Sequence, residues 1–481
     1  MTGTIIRKEI LENILSYRFP LFLIICVLLI VSAFYVNYID YSKRLNDYNE
    51  QKRLSADAIA ASRMWDVTSG SVALKAFRPP APLSVVAYGF ERSLPLYYEF
   101  QTDGFKAGET SVGDESILSI LGRIDFVFIL EMILSLIVLL FASDMVSGEK
   151  EMGTLRGTLS NSVPRHALLL GKLIGGSIAV WIPLLIAILL GMLLLDVSPY
   201  PLLTPPIPVN LLLILGSAFV FIFSYFTIGI AVSASTSRAR TSLIAVFLTW
   251  IVLQLIIPKL TDVIASAVRP IRTETVVSMQ KSLLLKSLDE ERGKILGERY
   301  EHIFGAGAKI STEPGTPEER AQWDAFKKEV DERYKVRKAR ELAGIDEKYE
   351  KEKEAQRAIA NSISLVSPSA AFSRLVTDLA GTGELAKLGY LDAVRRYSTT
   401  LQEQLYSHVD RTTLILPSGG TASMSSIDKM VDLHTLPAFT VSPQGAGEVF
   451  AADAGSLISL AFWLVGPFIV AFVRFLRYDV R

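Results

Sequence analysis

The sequence predicts an all-α polytopic membrane protein: six transmembrane helices, with a mainly helical extracytoplasmic domain (α with some β or loop) between spans 5 and 6. Three observations predict it. Half of the 481 residues are hydrophobic and the mean hydropathy is +0.36, more apolar than an ordinary soluble domain sustains. The excess is gathered into uninterrupted runs close to the ~20 residues that a helix needs to cross ~30 Å of hydrocarbon. The basic residues of the short connections fall on one side of those runs only.

Taken in order, residues 1–18 read as a cytoplasmic interfacial amphipathic helix, because Ile6, Ile10 and Ile14 share one face while Arg7, Lys8 and Glu12 point elsewhere. Span 1 is 19–39, "FPLFLIICVLLIVSAFYVNYI". Its apolar core exceeds the roughly 7–15 residues of a signal peptide and no convincing small-x-small cleavage site follows, so it is read as a retained anchor. The extracytoplasmic segment 40–123 opens with a polar helical run, Tyr41 to Arg63, and later contains "RPPAPLSVVAYGFE", Arg78 to Glu91. There Pro79, Pro80 and Pro82 impose extended backbone, and a packed loop over the membrane surface is expected.

Span 2 is 124–142, with Glu131 inside it and Asp125 near its outer end. Ionisable groups within spans are functional candidates: Glu131 either faces a translocation path or second subunit, or is satisfied by a neighbouring helix. A loop, 143–165, leads into span 3 at 166–195, and the short outer loop 196–208 leads into span 4 at 209–233. The turn 234–242 precedes span 5 at 243–260, the large extracytoplasmic domain covers 261–456, span 6 is 457–473, and 474–481 is a tail. Within the large domain, 274–304 and a stretch from Pro317 read as helices, with close alternation of acidic and basic residues from Lys327 to Glu354. That alternation is the pattern of a solvated helix or helical hairpin held by i,i+4 pairs. Residues 385–411 read as a further amphipathic helix, and 412–450 as loops or short strands.

Orientation follows from the short flanks. Arg7, Lys8 and Arg18, then Lys150, Arg156, Arg165 and Lys172, then Arg238 and Arg240, then Arg474, Arg477 and Arg481 all lie on one side of a six-span chain, whereas 196–208 has no Lys or Arg. That side is predicted to be the cytoplasm, with both termini there, in a multi-pass protein of the inner (cytoplasmic) membrane.

Little in the chain carries chemistry of its own. There is no G-x-x-x-x-G-K-[ST], since Gly171-Lys172 lacks both the upstream glycine and a following Ser or Thr, and no G-x-S-x-G. The four histidines, His166, His302, His408 and His434, form no H-E-x-x-H, and the single cysteine, Cys26, excludes a disulfide within the chain and Cys-rich metal sites. No metal site, no nucleic-acid partner and no enzyme activity are expected.

The informative stretch is the loop after span 2, "SGEKEMGTLRGTLSNSVPRHALLLGK". Met152, Leu155 and Leu159 lie at i, i+3 and i+7, which gives a short helix one apolar face, with Glu149, Lys150 and Arg156 projecting elsewhere. Periodicity alone leaves open a membrane-surface helix or one that presses apolar knobs into a soluble partner. The wording resembles the first cytoplasmic loop of ABC-2 type ABC transporter permeases, an E-[KR]-E-x-G-T-L motif followed by an Arg and a Gly-Lys leading into span 3. Glu149, Lys150, Glu151, Gly153, Thr154, Leu155, Arg165, Gly171 and Lys172 stand where that pattern wants them. The large segments 40–123 and 261–456 resemble a bacterial subgroup of such permeases with extracytoplasmic insertions.

The resemblance implies a coupling helix that docks on a separate ABC ATPase subunit, with Met152 and Leu155 as knobs and Glu149, Lys150 and Arg156 as polar register contacts. It implies a second permease subunit, identical or from a paired gene. It also implies no cofactor in this chain, ATP and Mg being held by the ATPase. The alternative from another class is a membrane-anchored receptor or scaffold that uses its outer domain to bind a ligand or envelope partner.

Overall fold

Six helices among the described residues are long and apolar enough to cross a membrane: Arg18–Ala61, Phe126–Met152, Arg165–Asp196, Ile207–Ser235, Ala239–Val268 and Ala454–Leu476. They contain spans 1 to 6, and the apolar part of the second ends at Ser143. The computed structural model describes residues 2–68, 71–91, 93–101, 104–108, 124–160, 164–196, 207–304, 316–405, 409–415, 421–427, 433, 436–441 and 444–477. The chain divides into two units, one of residues 1–258, 364–412 and 423–481, the other of 259–363 and 413–422.

In the first unit, span 4 packs on spans 6 and 2, and span 3 packs on span 1 and on the interfacial helix Thr2–Ile14. Their shared core includes Phe22, Phe34, Phe126, Leu169, Phe221 and Phe475. Span 1 runs unbroken to Ala61, because no Gly or Pro interrupts 40–61; the expected boundary at residue 39 is a change of polarity rather than of backbone.

Spans 2 and 5 each contain a π-helical turn, Ile129–Leu134 and Val252–Ile256, a local widening of the helix often found at functional positions. Span 6 contains Pro467, which cannot donate to the carbonyl four residues back. The Thr227 hydroxyl of span 4 reaches that carbonyl, Trp463 O, at 3.2 Å, so the freed acceptor is used to join two spans.

One helix was not expected inside the bundle. Pro368–Leu379 lies in the stretch assigned wholly to the extracytoplasmic domain, yet it packs on spans 4 and 6, and its Phe372 ring stacks on Phe221 with centroids 4.3 Å apart. Ser367 caps its start by accepting from the Ala370 amide and donates to Leu253 O, in the π turn of span 5, at 2.9 Å. With Ala371, Phe372, Leu375, Val376 and Leu379 all buried, it is an amphipathic helix of 12 residues, far short of the run that marks a span.

The segment after span 1 is also more ordered than a packed loop. Strands β1 (Leu74–Phe77), β2 (Tyr97–Gln101) and β3 (Gly104–Ala107) form an antiparallel sheet in that order. Leu74, Ala76, Tyr98 and Phe100 from this sheet share a second small core with Tyr390, Val394 and Leu401 of the helix Glu384–Gln404, where the Tyr390 hydroxyl donates to Ala76 O at 3.2 Å. The proline-rich stretch places Leu83, Val85, Val86 and Ala87 in the main core. Strands Val409–Ile415 and Thr421–Ile427 form a separate two-stranded sheet that lies mostly in the stretch read as loops or short strands, but its residues 409–411 belong to the stretch read as a helix, which ends at Gln404.

The second unit is dominated by helices Glu274–Phe304 and Pro317–Ser364. The cross-helix ion pairs Arg292–Asp331 (2.8 Å) and Arg337–Glu291 (2.8 Å), with Arg272 just before the first helix on Glu352 of the second (3.0 Å), zip them in antiparallel register. The rings of Tyr300, Phe304 and Trp323 cluster where the two helices approach their connection. The expected i,i+4 pairs are present too, as Arg333–Glu329 and Lys351–Glu347.

Candidate functional site

The loop after span 2 folds as two short helices, Ser147–Met152 and Thr154–Ser160, broken at Gly153, whose φ is +75°. A left-handed residue ends the first helix and re-aims the second, so the i, i+3, i+7 face read from the sequence does not persist. Met152 remains 71% exposed, but Leu155 has no exposed surface and packs in the bundle core, and Leu159 lies against that core. The two expected knobs therefore separate, one outward and one inward. Thr154 and Arg156 are exposed beside Met152, and the Thr154 hydroxyl donates to Glu149 O at 3.4 Å.

The charged residues of the motif turn back on the chain. The Lys172 ammonium, in span 3, lies 2.9 Å from Glu9 Oε1 and 2.9 Å from Glu149 Oε1, with side chains 3%, 6% and 19% exposed respectively. Lys150 donates to Ala234 O and Thr236 O, at the end of span 4. Glu151 accepts from the Ala239 amide, the first of span 5, at 2.8 Å. Arg165 donates to Phe475 O and Leu476 O, at the end of span 6.

These partners are the carbonyl and amide groups that helix ends leave without intrahelical bonds, and the charge signs suit the ends they cap. Arg18, at the start of span 1, forms a bidentate pair with Asp144 at 2.8 and 3.2 Å. The Ser233 hydroxyl of span 4 accepts from the Val146 and Ser147 amides at 3.1 and 3.0 Å.

Every span end on this face is thus tied to the loop, and the interfacial helix is tied to it through Glu9. That helix approaches span 3 closely because Gly171 and Gly175 lack a Cβ, which at 171 would lie 2.5 Å from Ile5 Cγ2 and at 175 would lie 2.7 Å from Glu9 Cβ. Glu9, Asp144 and Ser233 were not singled out from the sequence, and Arg18 was read only as a basic flank. Glu9 was findable, as a carboxylate one helical turn from both Ile6 and Asn13 on the buried side of an amphipathic helix.

The two carboxylates expected within or near span 2 have different surroundings. Asp125 caps the start of span 2, Oδ1 accepting from the Phe128 amide at 2.7 Å and Oδ2 from the Tyr88 amide at 2.8 Å. Glu131 sits in the π turn beside Ser373 of the inserted helix, and its Oε1 is shut from solvent without a hydrogen bond. Close by in the same packing, the Tyr225 hydroxyl donates to Gln254 Oε1 at 2.9 Å, and Trp250 Nε1 donates to the Ser135 hydroxyl at 2.9 Å.

A family profile described as ABC-2 family transporter protein matches residues 3–480, nearly the whole chain. No curated protein matches the chain at a significant level.

Proposed function

The chain belongs to the ABC-2 family of transporter proteins, and from that membership we propose that it is the permease subunit of an ABC exporter, driven by ATP hydrolysis on a separate ATPase subunit. The ATPase holds ATP and Mg and docks at the face that carries the basic residues, which is the cytoplasmic face in this reading. Two permease subunits, identical or paired, pack across the translocation path, and substrate leaves on the side of the large domain.

The observation that carries this reading is the division of labour within the loop. Met152, Thr154 and Arg156 are offered outward, while Glu149, Lys150, Glu151, Arg165 and Lys172 fasten the same loop to the ends of the spans. A displacement applied to the outward side is carried by short charge-assisted bonds and close packing rather than by a slack connection. Spans so fastened can move as bodies between two packed arrangements, provided the ATPase contacts each differently.

The test is a pair of substitutions in the full chain co-expressed with its ABC ATPase. Met152→Asp is expected to fold and insert normally but to reduce ATPase co-purification about tenfold or more, the effect of losing ~1.4 kcal/mol or more from an exposed anchor. Leu155→Asp places a carboxylate in the core and is expected to lower the yield of folded chain, at a cost of several kcal/mol. A Met152→Asp chain that keeps a full complement of ATPase and full transport removes Met152 from the docking surface. Purification of the native chain with an envelope protein and no ATPase favours the scaffold reading instead.

A further inference from the structure

At the bundle end opposite the basic loop, the inserted helix meets the residue that precedes span 6, and two carboxylates face each other. Asp378 Oδ1 accepts the Leu385 amide at 2.9 Å, and Asp453 Oδ1 accepts from Arg374 Nε at 2.7 Å. The residues are 2% and 1% exposed. Oδ2 of each is shut from solvent with no donor, and Arg374, which holds Asp453, stands one helical turn before Asp378 on the same helix, so the two carboxyl groups come close together.

Two ionised carboxylates so placed repel, and one guanidinium does not neutralise both. A single proton converts one Oδ2 into a donor and satisfies the other as acceptor, as an O–H···O⁻ bond. We propose that Asp378 and Asp453 form a proton-binding site whose one shared proton latches the inserted helix to the start of span 6.

The surrounding groups agree. Burial raises the Asp378 carboxyl to about 7, the Leu385 amide opposes this, the Asp453 charge adds to it, and Arg374 opposes it again. From the helix Glu384–Gln404, Glu384 and Lys387 are half-buried, with Lys387 over the Phe90 ring. Glu448 of the short helix Ala446–Ala452 is exposed. Span 4 offers the neutral Asn210 side chain, which donates to Leu379 O at 3.1 Å, and span 5 offers Leu253 O to Ser367.

A carboxyl raised on folding binds a proton that the unfolded chain has already lost. Its stabilisation is therefore present in acid and is lost as pH rises through about 7. The latch does not depend on the transport reading, which bears only on which compartment supplies the proton.

The test uses detergent-purified full chain. Asp378→Asn keeps an acceptor for the Leu385 amide and turns an NH2 toward Asp453 Oδ2, which reproduces the protonated pair at every pH. The wild-type unfolding midpoint is expected to fall between pH 6 and pH 8, and Asp378→Asn is expected to reduce that fall at least twofold. Infrared difference spectra of the wild type should show a protonated-carboxyl C=O band at pH 6 that is lost by pH 8. The spectral test stands even if the variant folds poorly. A wild-type chain without the band, or a folded Asp378→Asn chain with the full pH dependence, overturns the proposal.

Discussion

Lys172→Met is expected to destabilise the chain by about 3–5 kcal/mol, the range for removing one partner from a buried ionic cluster. Methionine fills a similar volume, so the loss is one of charge rather than of packing. What remains is Glu9 and Glu149, previously held by the same ammonium at 2.9 Å each and now without it. Glu149 Oε2 already lacks a donor, so the second oxygen joins the first in being unsatisfied. The interfacial helix should detach from span 3, seen as protease cleavage within residues 2–14 and a lower unfolding midpoint in detergent. Adding Glu9→Gln and Glu149→Gln to Lys172→Met should restore most of the loss, because a neutral cluster of the same shape carries no uncompensated charge. A Lys172→Met chain with wild-type stability and an uncleaved N-terminus shows that the three residues are not coupled.

How much of this was legible in the sequence depends on the length of the pattern that carries it. The six spans were readable because each is a run of apolar residues longer than a single helix–helix contact requires, and the helical pair in the second unit because its charges recur at helical spacing. The inserted helix was not, since 12 residues, even with eight of them buried, are indistinguishable in sequence from any amphipathic surface helix until the facing surface, here Phe221, is known. The sheet β1–β3 was missed for a similar reason: strands of four and five residues give too short an alternation to register.

The loop shows a subtler failure. Its motif was visible residue by residue, but the periodicity argument assumed a continuous helix through Gly153, and one left-handed residue sent Leu155 inward and left Met152 outside. Spacing could indicate that the motif mattered, whereas which of its residues face a partner and which face the chain is set by that single backbone angle and by span ends far away in sequence.

Glu91→Leu is expected to be as costly, about 3–5 kcal/mol, at the other end of the bundle. There the charges are inverted: one carboxylate, 1% exposed, accepts from Arg44 at 2.9 Å and from Arg78 at 2.7 Å, and also from the Ala81 amide at 3.2 Å. Arg44 keeps Asp40 at 2.8 Å after the substitution, but the Arg78 guanidinium is left with the backbone carbonyl of residue 91, and its Nε already has no partner. The segment 78–91 has no long sheet ladder to hold it, because its prolines remove donors, so Glu91 is a principal anchor that, with the bonds from Asn37 to Val85 O and from Thr382 to Ala87 O, keeps Leu83, Val85, Val86 and Ala87 in the core. Its release also withdraws the Tyr88 amide from Asp125, which caps span 2. Hydrogen exchange should therefore accelerate across 78–91 and at the first turn of span 2 together. Glu91→Gln, which keeps an acceptor but not the charge, should fall between the two. Acceleration confined to 78–91, with the Phe128 amide still protected, breaks the link to span 2, and unchanged exchange in Glu91→Leu refutes the anchor.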